Sequence, residues 1–181
     1  MSYRSIFRAD AFAGQVIIVT GGGSGIGRCT AHELAALGAQ VVITGRKIEK
    51  LDKVIGEISA DGGKVKGLVC DIRDEEQVKA TIAAVISEFG KIDGLVNNAG
   101  GQFPAALESI SINGFDAVIR NNLHGTFLMM REAYNQWIFG VAQDAAKYKT
   151  WVDENAAQAN GFKDFQQSRV FKLVTGQYYK N

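Results

Sequence analysis

A glycine-rich turn between a short apolar run and an amphipathic segment constrains this chain more than any other feature. Residues 16–19 are all apolar, which predicts a buried parallel strand. Residues 28–37 carry apolar side chains at helical spacing. Between them, residues 20–27 read Thr-Gly-Gly-Gly-Ser-Gly-Ile-Gly. Glycines let the backbone approach a ligand, and the N-terminus of a helix offers unpaired N–H groups and a positive dipole. Glycines alone would also be typical of a loop, but the flanking strand and helix favour a phosphate-binding site.

Strand and helix patterns alternate along the following residues. Further strands are predicted at 39–44, 64–70 and 92–97, and further helices at 47–59, 74–89 and 111–137. Repeated βαβ units imply an α/β fold with a doubly wound parallel sheet, which is a Rossmann-like three-layer αβα arrangement with right-handed crossovers. Ligands of such sheets bind beyond the carboxyl ends of the strands, where the glycine turn lies.

Composition and charge restrict the possible partners. With 181 residues, 46% hydrophobic and 22% charged, the chain has the make-up of an ordinary soluble domain. A net charge of +1 gives no reason to expect nucleic acid or an anionic membrane as a partner. No apolar run approaches the roughly 18 residues that a membrane span needs. Residues 1–14 lack a signal-peptide core, and two isolated cysteines and two histidines have no metal-ligand spacing. We expect a cytoplasmic protein with reduced thiols and no bound metal.

Three motifs resemble those of the short-chain dehydrogenase/reductase family. The first is a Thr-Gly-x-x-x-Gly-x-Gly turn that begins at Thr20. The second is Ile-Asp-Gly-Leu-Val-Asn-Asn-Ala-Gly at residues 92–100, which is similar to the family's fourth strand and its Asn-Asn-Ala-Gly motif. The third is Asn-Asn-Leu-His-Gly-Thr-Phe at residues 121–127, where Asn122 matches a helix asparagine. Residues 98–103, Asn-Ala-Gly-Gly-Gln-Phe, resemble the branch of trans-2-enoyl-CoA and 2,4-dienoyl-CoA reductases.

The resemblance implies an oxidoreductase that moves a hydride between a nicotinamide ring and a carbonyl, hydroxyl or conjugated alkene carbon. The residues implied to hold the cofactor's pyrophosphate are Gly21, Ser24, Gly25, Ile26 and Gly27. Asn98, Ala99 and Gly100 would line the ribose and nicotinamide side, while Asn97 is interpreted as tying strands together. The resemblance also implies a small-molecule substrate, an acyl-CoA thioester if the branch is right, and a homo-oligomer.

The end of the second strand indicates which cofactor is preferred. An NAD site places a carboxylate there to bind the ribose 2′-OH. This chain has Gly45 followed by Arg46 and Lys47, which favour the 2′-phosphate of NADP(H) over NAD(H). The alternative is that Arg46 and Lys47 are solvated residues at the start of a helix. Asp71 matches the family position that accepts a hydrogen bond from the adenine amine, and its alternative role is to cap a turn before the next helix.

The catalytic part of the family pattern is incomplete. No tyrosine of this sequence has a lysine four residues later, so the family's Tyr-x-x-x-Lys pair is missing. Asn122 would belong to the family's proton relay through a water near its helix. Alternatively, Asn122 is a structural asparagine at a helix kink. A site without a general acid is expected to lose on the order of 10²–10⁴ in rate.

The resemblance covers residues 1–138, which we interpret as a nucleotide-binding Rossmann domain. Residues 139–181 form an atypical tail, rich in aromatic side chains, with a helix and then a strand predicted at 169–175. We expect this strand to pack on the fourth-strand side of the same domain's sheet or, alternatively, to pair between subunits. Three functions are therefore open. The chain is an NADPH-dependent reductase, a truncated or chimeric nucleotide-binding module without turnover, or an interaction protein that uses the aromatic tail.

Overall fold

The computed structural model of the chain describes the backbone of residues 5–143 and the side chains up to residue 136. Backbone contacts separate Met1–Ile138 from Phe139–Asn181, and the fold described below is that of the first unit. The tail strand expected at 169–175 falls outside the described residues and stays a prediction. None of the helices within this range is long and apolar enough to cross a membrane.

Four parallel strands form a single sheet in the order β3-β2-β1-β4. Strand β1 is Val16–Thr20, β2 is Gln40–Gly45, β3 is Lys64–Val69 and β4 is Gly94–Val96. In register, Thr20 lies opposite Thr44 of β2, and Val19 lies opposite Val96 of β4. This places the carboxyl ends of the three strands side by side, as the sequence pattern predicts.

Helices join the strands and cover both faces of the sheet. Helix α1 is Gly25–Ala36, α2 is Ile48–Ala60 and α3 is Glu75–Phe89. After β4 come a short 3₁₀ turn at Leu107–Ser109 and two longer helices, α4 at Ile112–Ile119 and α5 at Gly125–Gln143. The alternating elements and the parallel sheet confirm the predicted doubly wound α/β fold.

Each face of the sheet has its own apolar core. On one face, strand residues such as Val41 and Ile43 pack with Ala31 of α1 and Leu51 of α2. On the other face, Val42 and Ile18 pack with side chains of α3 and with Met129 of α5. Because β1 and β2 are buried on both faces, their central residues are apolar in a continuous run and do not alternate with polar ones.

The helix expected at 111–137 differs from its prediction. The backbone is helical there, but a π-helical turn at Arg120–His124 separates α4 from α5. A π turn contains one extra residue per turn and rotates the side chains that follow. Asn122 lies inside this turn, and its amide bonds the loop after β4, as described below. The helical periodicity of the apolar residues could not reveal this local change.

Candidate functional site

The glycine turn leaves the N-terminus of α1 open. Gly21 and Gly25 have φ angles of +68° and +54°, a backbone region that side chains rarely adopt. The N-cap residue is Ser24, and its hydroxyl makes no capping hydrogen bond. The first N–H groups of α1 are therefore free of a side-chain cap and are positioned to bind an anion. A Cβ atom built on Gly25 would meet no protein atom within 4 Å, so the space beside it is available to a ligand.

Asn98 ties this turn to the end of β4. Its Nδ2 atom donates to the carbonyl of Thr20 at 2.8 Å. In return, the hydroxyl of Thr20 accepts hydrogen bonds from the N–H groups of Asn98 and Ala99, at 3.0 and 2.9 Å. A Cβ on Gly27 would lie 2.4 Å from Asn98 Nδ2, so glycine is required for this contact. The interpretation of Asn97 as the residue that ties the strands is wrong. The half-buried Asn98 makes these bonds, whereas the side chain of Asn97 is exposed.

A cavity of about 300 Å³ lies at the carboxyl ends of the strands. Eight of the predicted cofactor residues line it, namely Gly21, Ser24, Arg46, Lys47, Asp71, Asn98, Ala99 and Gly100. The other three, Gly25, Ile26 and Gly27, form the first turn of α1 and are not among the lining residues. Ile26 has 79% of its surface exposed, so only its backbone can serve the predicted role.

Cations and a carboxylate line this cavity. Arg46 and Lys47 follow Gly45 at the end of β2, where an NAD site would have a carboxylate. Asp71 stands after β3, and Arg73 bonds both of its carboxylate oxygens. This pairing lowers the pKa of Asp71, and the positive charge of Arg46 lowers it further. Asp71 is therefore ionised at neutral pH and can accept a hydrogen bond.

Both interpretations of Asp71 find support in its contacts. Its Oδ1 atom accepts from the backbone N–H of Arg73 at 3.1 Å, which is a local turn before α3. The cap of α3 itself is Asp74, whose side chain accepts from the N–H groups of Glu76 and Gln77. Asp71 also lines the cavity. The turn and a ligand contact are compatible, and the adenine bond stays a prediction.

Asn122 does not line the cavity. Its Oδ1 atom accepts from the N–H of Gly101 at 3.0 Å, and its Nδ2 atom donates to the carbonyl of Gly101 at 2.7 Å. A Cβ on Gly100 would lie 2.5 Å from Asn122 Oδ1, so the loop packs tightly on this amide. These bonds support the structural role that was left open for Asn122. A relay role of Asn122 stays a prediction.

Seven lining residues were missed by sequence reasoning. They are Gly23, Thr44, Lys50, Leu51, Cys70, Ile72 and Asn121. Three of them could have been predicted from the sequence. Cys70 and Ile72 flank the predicted residue Asp71, and Lys50 lies one helical turn after Lys47. Asn121 becomes visible only through the π turn. Burial raises the pKa of the Cys70 thiol, so it is neutral and lines the cavity as an apolar group.

The residues present fit a dinucleotide. The open space beside Gly25 and the uncapped N-terminus of α1 suit a pyrophosphate, and Arg46 and Lys47 suit a further phosphate. The hydroxyl of Thr44 is buried and has no hydrogen-bond partner among the described residues. A buried polar atom without a partner costs free energy, which a polar ligand in this cavity could offset.

Comparison with known proteins agrees with this site. The profile of the short chain dehydrogenase family matches residues 15–147. A peroxisomal 2,4-dienoyl-CoA reductase of Arabidopsis thaliana is 40% identical over 129 residues, which are 71% of this chain and 43% of that protein. The name of this relative and its sequence identity to the chain support the predicted resemblance to the 2,4-dienoyl-CoA reductase branch.

Two solved structures extend the comparison. A citronellol catabolism dehydrogenase of Pseudomonas aeruginosa has a TM-score of 0.71 and 62% identity, over 74% of this chain and 55% of the other. A metagenomic short-chain oxidoreductase in complex with NADP has a TM-score of 0.63 and 40% identity, over 67% of this chain and 56% of the other. The chain spans about half the length of the relatives that it matches. The chain belongs to the short-chain dehydrogenase/reductase family.

Proposed function

We propose that this chain binds NADP(H) and is part of an oxidoreductase that moves a hydride between the nicotinamide ring and a carbonyl or enoyl carbon. The observation that carries the proposal is the pair Arg46 and Lys47 in the cavity beside the open glycine turn. The related structure with bound NADP supports this cofactor. An acyl-CoA thioester is the proposed substrate class, because a relative is named a 2,4-dienoyl-CoA reductase.

In this proposal the cofactor supplies the hydride chemistry, and the chain binds and orients it. The N–H groups of the first turn of α1 hold the pyrophosphate. Asn98 fixes the glycine turn against the end of β4, so that the pyrophosphate end and the nicotinamide end of the site keep a constant separation. Arg46 forms a bidentate contact with the 2′-phosphate, and NADH, which has no 2′-phosphate, cannot form this contact.

Arg46→Gln tests the cofactor preference. The substitution removes a charge-assisted contact to the 2′-phosphate and keeps a polar side chain of similar length. NADPH affinity should fall by roughly 1.5–3 kcal/mol, and NADH affinity should change little. Fluorescence titration of both cofactors with the variant and the unmodified chain measures the difference. Equal losses for both cofactors, or tighter binding of NADH by the unmodified chain, would contradict the proposal.

The second candidate is a nucleotide-binding module without turnover. The missing Tyr-x-x-x-Lys pair favours it, because the described cavity lining provides no tyrosine as an acid. Following the loss of nicotinamide absorbance with a short enoyl-CoA separates the two functions. Turnover would support the reductase. Saturable NADPH binding without turnover would show that the chain is a nucleotide-binding module. If the folded chain binds neither cofactor, the remaining candidate function is that of an interaction protein that uses the aromatic tail.

A homo-oligomer is also part of the proposal. Helices α4 and α5 and the π turn between them present exposed apolar side chains within the described residues, namely Ile112, Phe115, Leu123, Phe127 and Met130. A patch of this kind is uncommon on a soluble monomer, and a second copy of the chain is the proposed cover. A cytoplasmic location completes the proposal, supported by the free thiols of Cys29 and Cys70.

Phe115→Glu tests the oligomer. A carboxylate at this position would be buried without a partner in the interface, so we expect the variant to elute as a monomer. Ile6→Glu is the control, because Ile6 is exposed and lies outside α4 and α5. Light scattering after size exclusion gives the mass of each form. A monomeric unmodified chain, or an oligomeric Phe115→Glu variant, would contradict this part of the proposal.

A further inference from the structure

Lys50 lies in the first turn of α2 and lines the same cavity as Arg46 and Lys47. Its backbone N–H donates to the carbonyl of Lys47 at 3.2 Å, so the two lysines lie on one side of the helix end. A Cβ atom on Gly23 would lie 3.1 Å from Lys50 Cβ. The glycine turn and the start of α2 are therefore in close contact, and Lys50 emerges next to the phosphate-binding turn.

Without a bound ligand, the positive charge of Lys50 is in an unfavourable position. A cation in the first turn of a helix faces the positive end of the helix dipole, and Arg46 and Lys47 add two like charges nearby. Three other lysines of the described chain are paired with carboxylates: Lys66 with Glu88 at 2.6 Å, Lys91 with Asp93 at 2.9 Å, and Lys79 with Glu76 at 2.9 Å. Within the same range, neither Lys47 nor Lys50 forms an ion pair. An anion in the cavity would relieve this repulsion.

A second, independent observation points to a ligand at this end of the cavity. The side chain of Thr44 is fully buried at the end of β2, two residues before Arg46, and it lines the cavity. Its hydroxyl has no hydrogen-bond partner among the described residues. Hydroxyl groups buried in this way are normally paired. The unsatisfied hydroxyl makes this end of the cavity polar, and the phosphate of a ligand would compensate the charges of the unpaired cations beside it.

We infer that Lys50 is a third ligand of the 2′-phosphate of NADP(H), together with Arg46 and Lys47, and that it is a determinant of cofactor specificity. This inference rests on the proposed function. A phosphate monoester carries a charge of about −1.5 to −2 at neutral pH, so one cation leaves it uncompensated. Arg46 and Lys47 supply two positive charges, and Lys50 makes the cluster more positive than the phosphate is negative, which favours a ribose with the monoester over one without it. A CoA thioester also carries a ribose phosphate monoester, at its 3′ position, and the experiment must separate the two.

Three substitutions test the inference. Lys50→Gln removes the charge, Lys50→Arg restores it, and Lys53→Gln is the control because Lys53 is exposed on the same helix and does not line the cavity. Affinities are measured for NADPH, NADH, 2′,5′-ADP and 3′,5′-ADP. Lys50→Gln should weaken NADPH and 2′,5′-ADP by about five- to tenfold, the size of one partly exposed charged contact. NADH and 3′,5′-ADP should change less than twofold, within the usual scatter of surface substitutions.

The controls decide between the inference and the proposed function. Lys50→Arg and Lys53→Gln should bind NADPH like the unmodified chain. Unchanged NADPH binding by Lys50→Gln, an equal loss of NADH, or a loss confined to 3′,5′-ADP would overturn the inference. If Arg46→Gln still loses NADPH selectively in such a case, the proposed function stands and only the role of Lys50 is lost. If the unmodified chain binds no NADPH, both fail.

Discussion

Gly25→Val should abolish the binding of both NADPH and NADH while leaving the chain folded. No protein atom lies within 4 Å of a Cβ at this position, so the new side chain meets no clash inside the protein. It occupies instead the space that we assign to the pyrophosphate. Both cofactors carry a pyrophosphate, so both should be lost together. Thermal unfolding and cofactor titration of the same sample measure the two effects.

Gly90→Val is the matched control for Gly25→Val. Gly90 also has a positive φ angle, +76°, and open space around its Cβ position. Both variants should lose about 1–2 kcal/mol of stability, because an L residue is strained in that backbone region. Only Gly25→Val should lose cofactor binding, since Gly90 caps α3 away from the cavity. Normal NADPH binding by Gly25→Val would show that the glycine turn is only a loop.

Asn98→Asp should be the most destabilising polar substitution at the site. The Nδ2 donor that bonds the carbonyl of Thr20 at 2.8 Å would become a carboxylate oxygen facing that carbonyl. The unsatisfied carbonyl and the repulsion should cost roughly 2–3 kcal/mol. Because the glycine turn loses its tie to β4, NADPH affinity should fall as well. Chemical denaturation monitored by circular dichroism gives the free energy of unfolding.

Asn97→Asp provides the comparison, since it makes the same chemical change one residue earlier. Asn97 is exposed, and no described hydrogen bond depends on its amide. Its free energy of unfolding should stay within about 0.5 kcal/mol of the unmodified chain. A larger loss for Asn97→Asp than for Asn98→Asp would restore the original interpretation of Asn97 and contradict the hydrogen bonding described here.

The sheet and the glycine turn were predictable because they depend on local sequence. Within about twenty residues the sequence shows an apolar run for a strand buried on both faces, glycines for a turn with positive φ angles, and the periodicity of an amphipathic helix. Strand β4 is shorter than its predicted range of 92–97 for a reason that periodicity does not contain. The backbone N–H of Asp93 donates to the carbonyl of Val16 at 2.8 Å, but the N–H of Val16 donates to the carboxylate of Asp93 at 2.7 Å and not to a backbone carbonyl, and the regular pairing with β1 begins at Gly94.

The missed features of the site depend on contacts between distant segments. The choice between Asn97 and Asn98 depends on which face of β4 meets Thr20, and the pattern Asn-Asn does not reveal it. Lys50 reaches the cavity because Gly23 lets α2 approach the glycine turn closely. Asn121 lines the cavity through a π turn that shifts the helix phase. Each of these is a consequence of packing and not of local propensity.

Calorimetric titration of the unmodified 181-residue chain with NADPH tests the central claim most directly. The claim is that the cavity between the glycine turn, Arg46 and Asn98 is a dinucleotide site. We predict saturable binding with one NADPH per chain, weaker binding of NADH, and no binding by Gly25→Val. A chain that is folded by circular dichroism but gives no saturable heat with either cofactor would contradict the account.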